Sequence, residues 1–195
     1  MISIDEIVGL YERKGAAWYG GERVTQLEHA LQCAGLAQRE GAAQELVAAA
    51  FLHDFGHLLA ENNEIHQYLP LPFLRPAFGN AVLEPIRLHV DAKRYLCFAD
   101  TRYWASLSDE SKRSLEFQGG AFDARQAGEF LRRPFAADAA KLRIWDDLAK
   151  VPRAATPRLG DIAKLLTHVA SCQNCNRRRI ECRLSCLSDS IRRKN

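Results

Sequence analysis

Apolar residues recur at three- and four-residue spacing along most of the chain, and this pattern restricts the fold more than any other feature. Residues spaced in this way share one face of an α-helix, whereas the alternation typical of β-strands is almost absent. The pairs Ser3–Glu6 and Thr25–Glu28 match capping boxes and predict the starts of two helices. We therefore predict an all-α fold, a single helical bundle.

Glycine and proline predict where these helices end. The expected helices begin at Ser3 and at Thr25, the latter running towards Gly41, and then cover 44–59, 77–96 with a bend at Pro85, 108–119, 123–132, 135–149 and 159–170. Residues 60–76 contain three prolines and are expected to be irregular. We divide the chain into a helical domain at 1–156 and, at 157–195, a terminal helix followed by a tail that we expect to be poorly ordered.

The tail differs from the body in charge and in cysteine content. The formal net charge of +3 divides into −2 for residues 1–171 and +5 for residues 172–195. Four of the six cysteines lie in the tail: Cys172, Cys175, Cys182 and Cys186. Four thiols can bind zinc, and the basic side chains can contact nucleic-acid phosphates. However, the spacing between the second and third cysteines is short for a zinc ribbon, and the tail has no aromatic residue for base stacking. We therefore favour a poorly ordered extension over the two alternatives, zinc binding and, less favoured, a regulatory or nucleic-acid-binding role of the tail.

The N-terminus and the body cysteines indicate the compartment. Asp5 and Glu6 stand where a signal peptide would carry basic residues, and no run approaches the roughly 18 apolar residues of a membrane span. Cys33 and Cys97 lie in apolar helical contexts and are expected to be reduced and buried. We expect a cytoplasmic protein with no membrane partner.

The histidines carry the strongest signal of chemistry. His53 is followed directly by Asp54, and adjacent residues on a helix point about 100° apart, so both side chains can face one cleft. His57 follows His53 by four residues and is expected on the same face. A lone helical histidine is commonly a surface or core residue, but here histidines and acids recur on successive helices. The candidate ligands are His29, His53, Asp54, His66, His89 and Asp146. Imidazole and carboxylate without thiolate suit iron, manganese, cobalt or zinc.

Five segments surround these residues: QLEHALQ (26–32), FLHDFGH (51–57), HVDAKRYL (89–96), LSDESKRSLEFQGG (107–120) and LRIWDD (142–147). The histidine and aspartate pattern resembles the HD superfamily of metal-dependent phosphohydrolases. Together the segments are similar, more narrowly, to the HD-domain mixed-valence diiron oxygenases that cleave the carbon–phosphorus bond of 1-hydroxy-2-aminoethylphosphonates. The resemblance covers residues 19–151 and implies an HD-type oxygenase domain.

The resemblance implies two iron ions, in a mixed-valence Fe(II)/Fe(III) pair, with O2 as co-substrate. It places one iron at His29, His53 and Asp146, the second at His66 and His89, and Asp54 between them. It also implies that Tyr19 occupies a coordination position when substrate is absent. His53, Asp54 and His57 are the residues that we expect to be catalytic.

The resemblance further implies a set of substrate contacts: Glu22 for the amino end, His57, Lys93 and Arg143 for the phosphonate, and Ser111 and Gln118 as the remaining polar contacts. The spacing supports two of them, because Lys93 follows His89 by four residues and Arg143 precedes Asp146 by three. The alternatives are a plain turn at residues 19–22 and ordinary solvated charges at the two cations.

The resulting prediction is oxidative cleavage of a (1R)-1-hydroxy-2-(amino or trimethylammonio)ethylphosphonate to phosphate and glycine or its betaine. A metal-dependent phosphohydrolase acting on a nucleotide or phosphate ester remains the alternative, because the same ligands can activate water. We expect a monomer or weak dimer whose partner is a small hydroxyphosphonate.

Overall fold

The computed structural model describes residues 2–60, 65–173 and 175, and these residues form helices without a β-strand. The helices are α1 (Ile4–Lys14), α2 (Gln26–Arg39), α3 (Gln44–Leu52), α4 (Phe55–Leu59), α5 (Leu71–Leu74), α6 (Asn80–Ala99), α7 (Thr101–Ser106), α8 (Asp109–Phe117), α9 (Ala124–Leu131), α10 (Ala136–Leu148) and α11 (159–173). An isolated β-bridge joins Trp18 to Thr25. The predicted all-α fold is confirmed.

The predicted helix ends are confirmed at several positions. Ser3 and Thr25 each form a complete capping box, and the Ser108 side chain accepts the backbone hydrogen bond that begins α8. After α2 the chain turns at Gly41, whose φ of 67° is a left-handed conformation that favours glycine.

Four helices form the centre of the bundle. The long helix α6 packs against α3 and α10, and α2 packs against the same two helices. Their buried side chains share one apolar core that includes Phe51, Leu83 and Trp145. Ile162 and Leu166 of α11 belong to this core as well. The division of the chain after residue 156 stays a prediction.

The prediction of one helix over 44–59 is wrong. The chain is helical to Leu52 and again from Phe55, and Asp54 between them has φ −102° and ψ 12°, which lies outside the helical region. The helix therefore ends beside the His53–Asp54 pair, and the second segment starts in a new direction. The common face expected for His53 and His57 does not exist, because no continuous helix joins them.

Two smaller expectations also need correction. Within residues 65–76, a series of turns leads into the short helix α5, so this region is only partly irregular. The sequence analysis missed α7, which begins at the N-cap Asp100.

Among the described residues, none of the helices combines the length and the apolar character needed to cross a bilayer. In the tail, Cys172 and Cys175 carry exposed free thiols. The predictions for Cys182 and Cys186 lie outside the described residues.

Candidate metal centre

Asp54 lies between two sets of buried ligand atoms. Its Oδ2 atom is 3.6 Å from His29 Nε2 and 3.2 Å from His53 Nε2. Its Oδ1 atom is 3.4 Å from His66 Nε2 and 3.6 Å from His89 Nε2. One carboxylate therefore faces both sets, with one oxygen for each.

Five parts of the fold supply this cluster. His29 comes from α2, His53 and Asp54 from the break between α3 and α4, His66 from the turns before α5, His89 from α6, and Asp146 from α10. All six side chains are buried. The structure therefore brings together every metal ligand predicted from the helices and from the proline-containing loop.

The spacing of the ligand atoms fits bound cations. Donors about 2.0–2.2 Å from one metal, at angles between octahedral and tetrahedral, lie roughly 2.9–3.6 Å from each other. In the first set His29 Nε2 is 3.3 Å from His53 Nε2 and 3.5 Å from Asp146 Oδ1. In the second set His66 Nε2 is 3.0 Å from His89 Nε2. One separation is longer, 3.8 Å between His53 Nε2 and Asp146 Oδ2. Both sets are nevertheless compact enough that each could hold a metal ion, with Asp54 between the two.

Backbone carbonyls orient three of the imidazoles. The Nδ1 atoms of His29, His53 and His89 lie 2.9, 2.9 and 2.7 Å from the carbonyl oxygens of Ala149, Ala50 and Ile86. A hydrogen on Nδ1 that donates to a carbonyl leaves the Nε2 lone pair free for a metal. The helices thus fix both the tautomer and the direction of these rings.

Gly56 allows the second ligand set to form. A Cβ atom at this position would overlap the backbone oxygen of His66. The absence of a side chain therefore lets α4 touch the backbone that carries His66. The ring of His66 stacks on His57, with centroids 4.3 Å apart. His57 lines the cleft beside the cluster, and its predicted role as a phosphonate contact stays a prediction.

Two histidines of the cluster have pKa values shifted in opposite directions. Burial lowers the pKa of His29 to about 4, so this ring is neutral at physiological pH. Burial also opposes a charge on His53, but Asp54 beside it raises the pKa of His53 to about 9. Burial likewise opposes the charge of Asp54, and His53 nevertheless holds the pKa of Asp54 well below its usual range. His53 and Asp54 form a buried ion pair, and a metal cation would take the place of that proton.

A cysteine that the sequence analysis treated only as a core residue lies beside the first ligand set. Cys33 Sγ is 3.7 Å from His29 Nε2, one helical turn along α2. Burial raises the pKa of the Cys33 thiol well above its usual range, which disfavours a thiolate ligand. His29, Cys33 and His53 also lie close enough to share a metal ion, and the predicted donor set of imidazole and carboxylate stays a prediction.

Tyr19 covers the cluster. Its hydroxyl donates a 2.7 Å hydrogen bond to Asp54 Oδ2 and lies 3.5 Å from Asp146 Oδ1, and its ring stacks on His29. Burial and the carboxylates of Asp146 and Asp54 hold the pKa of this phenol well above its usual range. The structure thus places Tyr19 against the first ligand set, and its role as a ligand stays a prediction.

A cleft of about 840 Å³ opens above the cluster. Its lining includes five cationic side chains: Arg13, Lys14, Lys93, Arg143 and Lys150. Lys93 is buried and donates a 2.8 Å hydrogen bond to Ser114 Oγ. Burial, together with the nearby Arg143, lowers the pKa of Lys93 to about 7. The cleft can therefore receive a small anion next to the candidate metal centre.

The guanidinium of Arg143 is hydrogen bonded to acidic side chains, so it is not fully open to the cleft. Its Nη1 atom donates to Asp146 Oδ2 at 2.5 Å, and its Nη2 and Nε atoms donate to Asp147. The hydroxyl of Tyr103 also donates to Asp147. Arg143 therefore orients a candidate ligand directly, and its predicted contact with a phosphonate stays a prediction.

The remaining predicted contacts also line the cleft. Ser111 Oγ accepts a 2.8 Å hydrogen bond from Lys150 Nζ, and Glu22 Oε1 is 3.2 Å from the same ammonium. Gln118 Oε1 is buried, with no hydrogen-bond partner among the described residues. A buried amide oxygen without a partner can accept a hydrogen bond from a protonated ligand.

The sequence analysis missed Lys150, Ser114 and the close approach at Gly56. Helical spacing was the available signal for Lys150, which follows Asp146 by four residues. No local pattern marks Ser114 or Gly56, because each contacts a segment that is distant in the sequence.

Comparison with known proteins supports an enzyme of phosphonate chemistry. The chain is 41% identical over 179 residues to the hydroxymethylphosphonate dioxygenase of Gimesia maris, an alignment that covers 87% of each chain. It is 34% identical over 163 residues to the [1-hydroxy-2-(trimethylamino)ethyl]phosphonate dioxygenase (glycine-betaine-forming) of Leisingera caerulea, covering 79% of this chain and 83% of that protein. No protein-family model matches the chain.

Proposed function

We propose that this chain, which belongs to the phosphonate dioxygenase family of these two relatives, cleaves the carbon–phosphorus bond of a 1-hydroxyphosphonate with O2. The observation that carries the proposal is the position of Asp54, whose two oxygens face two ligand sets. A bridging carboxylate of this kind suits a pair of metal ions rather than a single one. The cationic cleft above it suits a phosphonate.

The overall reaction balances without another reductant. The C1–phosphorus bond breaks, C1 is oxidised to a carboxylate, and both atoms of O2 appear in the products. Hydroxymethylphosphonate would give formate and phosphate, and a 1-hydroxy-2-aminoethylphosphonate or its trimethylated form would give glycine or glycine betaine and phosphate.

We assign the two metals as iron. His29, His53 and Asp146 would hold one ion, His66 and His89 the other, and Asp54 both. Iron supplies the redox chemistry for O2, which zinc cannot supply. The protein contributes position and charge: the carbonyl-anchored histidines fix the ligand atoms, and Arg143 holds the Asp146 carboxylate.

The cleft would bind the phosphonate group through its own side chains. Lys93 and Lys150 present ammonium groups, each hydrogen bonded to a serine that holds it in place. Gln118 and His57 lie on the same lining and complete the contacts predicted from the sequence. Tyr19 occupies the space above the first ligand set, so substrate binding would require its hydroxyl to leave Asp54. We further propose an HD-type domain that acts in the cytoplasm as a monomer or weak dimer.

The experiment must separate oxygenase from phosphohydrolase, because both can use a metal pair beside cations. Iron-loaded protein is given hydroxymethylphosphonate, the R and S forms of 1-hydroxy-2-aminoethylphosphonate, and an organophosphate ester, with O2 and without it. We expect phosphate from a hydroxyphosphonate only when O2 is consumed. Phosphate release from the ester at an equal rate without O2 would favour the hydrolase.

A further inference from the structure

Lys150 lies between two parts of the cleft beside the candidate metal centre. Its ammonium is 3.2 Å from Glu22 Oε1, donates to Ser111 Oγ at 2.8 Å and lies 5.9 Å from the centre of the Tyr19 ring. Its side chain is 12% exposed. One cation therefore contacts both the turn at 19–22 and the wall formed by α8.

The backbone on both sides of Lys150 is fixed. The carbonyl of Ala149 accepts from His29 Nδ1, and the backbone of Val151 exchanges two hydrogen bonds with the Gln32 side chain, at 2.9 and 3.1 Å. Residues flanked in this way have a defined position, so the lysine stem starts from a rigid base.

Glu22 is the carboxylate that remains for a positively charged substrate group. Four acidic residues line the cleft within the described part of the chain. Asp54 and Asp146 belong to the ligand cluster, and Glu110 pairs with Arg113 at 2.5 Å. Glu22 is left, and its charge is paired with Lys150 across 3.2 Å, although its buried Oε1 atom accepts no hydrogen bond from the described residues.

We propose that Lys150 determines how the cleft discriminates between substrates with and without a cationic substituent. The Lys150 ammonium is paired with the Glu22 carboxylate that a cationic substituent would use, and it repels that substituent directly. The cleft thereby favours a 1-hydroxyphosphonate whose second substituent is neutral or only hydrogen, and an ammonium group must displace Lys150 from Glu22. This inference rests on the proposed function for the identity of the substrate class, and it concerns selectivity within that class.

The substrates named for the two relatives differ in their charge. Hydroxymethylphosphonate has no cation, whereas the trimethylamino substrate carries one. Both carry the phosphonate, so removal of a cleft cation weakens the common contact for both. The ratio of their affinities cancels this effect and isolates the interaction at Glu22.

The first test measures binding rather than turnover. Calorimetry of the metal-loaded protein with ethylphosphonate and 2-aminoethylphosphonate compares two ligands that differ by one ammonium group and lack the reactive hydroxyl. In Lys150→Met the affinity ratio should shift towards 2-aminoethylphosphonate by at least about fivefold, the effect of one charge pair in a partly buried cleft. Lys150→Arg keeps the charge and should keep the wild-type ratio.

Two matched variants distinguish the effect of the Lys150–Glu22 pair from the general effect of removing a cation from the cleft. Lys14→Met removes another cleft cation, one that donates to the Leu58 carbonyl, and should leave the ratio unchanged. In a Glu22→Gln background, Lys150→Met should shift the ratio by much less, because the carboxylate that it exposes is absent. An unchanged ratio in Lys150→Met, an equal shift in Lys14→Met, or failure of both ligands to bind would overturn the inference.

Turnover then distinguishes this inference from the proposed function. With both hydroxyphosphonates, Lys150→Met should raise the relative kcat/KM of the aminated substrate mainly through KM. A shifted binding ratio without cleavage of either substrate would reject the proposed function and keep the inference. Cleavage of both substrates with an unchanged binding ratio would keep the proposed function and reject the inference.

Discussion

The cleft has a floor and a wall that are constructed differently. The metal floor consists of the buried candidate ligands His29, His53, Asp54, His66, His89 and Asp146. The cation wall consists of Glu22, Lys93, Ser111, Ser114 and Lys150. Three of the floor histidines are anchored by backbone carbonyls, whereas the wall residues are held by one another's side chains.

This difference in anchoring indicates different roles for the floor and the wall. Backbone anchors fix the floor within a narrow geometry, as metal coordination requires. The wall contacts join side chains that can rearrange, as required if Glu22 and Tyr19 are to separate from Lys150 and Asp54 when a substrate enters. The floor should therefore determine whether the reaction occurs, and the wall which substrate is used and at what pH.

The largest effect should come from the residue that both ligand sets share. Asp54→Asn keeps the shape but removes the negative charge that would face both cations, so we expect at least about a 10³-fold loss of kcat/KM and loss of bound metal. Metal analysis and oxygen uptake on the same sample measure both. Asp161→Asn, an exposed aspartate paired with Lys164, is the control and should change neither. Full metal content and activity in Asp54→Asn would remove the distinction between floor and wall.

A change behind the floor should affect one ligand set selectively. In Gly56→Ala the new methyl group must displace the backbone of His66, which costs about 1–3 kcal/mol of the free energy of unfolding. We expect thermal unfolding at a lower temperature and metal content reduced towards one ion per chain. Gly128→Ala is the matched control, because a Cβ there meets nothing within 4 Å. Two ions per Gly56→Ala chain would show that the approach at His66 does not matter.

A wall residue should alter KM in a pH-dependent way. The pKa of Lys93 is lowered to about 7, so its ammonium is present below that pH and is lost as the pH rises through it. Since a bound phosphonate favours the ammonium, the midpoint in the complex lies at or above this value. Lys93→Met should raise KM about tenfold at pH 6 and progressively less towards pH 8.5. Steady-state kinetics across this range give the KM ratio of variant to wild type, and a constant ratio would contradict the assignment.

The smallest effect should come from the hydroxyl that positions this lysine. Ser114→Ala removes the 2.8 Å hydrogen bond from Lys93 Nζ, and we expect KM to rise by about threefold with kcat unchanged. Ser106→Ala, in which the lost hydroxyl donates only to the carbonyl of Tyr103, should leave KM unchanged. A change in kcat alone would place Ser114 in another role.

The metal floor was more predictable from the sequence than the cation wall, for a physical reason. Its ligands are distinctive residue types within segments that resemble a known family, and capping boxes such as Thr25–Glu28 fix the helices that carry them. The wall depends on contacts between segments far apart in the chain, such as Lys150 with Glu22 and Lys93 with Ser114. Periodicity carries no information on such pairs.

The helix over 44–59 shows where periodicity misleads. Its apolar pattern continues across the break, since Phe51 and Phe55 are both buried in one core. The helix break at Asp54 accompanies the position of the cluster and the contact of Gly56 with His66, neither of which the local pattern encodes. The helical context predicted for His53 and Asp54 was therefore wrong, while their role as metal ligands stays a prediction.

Electron paramagnetic resonance of half-oxidised protein, with iron counted on the same sample, tests the two-metal floor most directly. Two donor sets that share one carboxylate predict two irons per chain and a signal from two exchange-coupled ions, and Asp54→Asn should abolish this signal. A single iron per wild-type chain, with only the signal of an isolated ferric ion, would contradict the account.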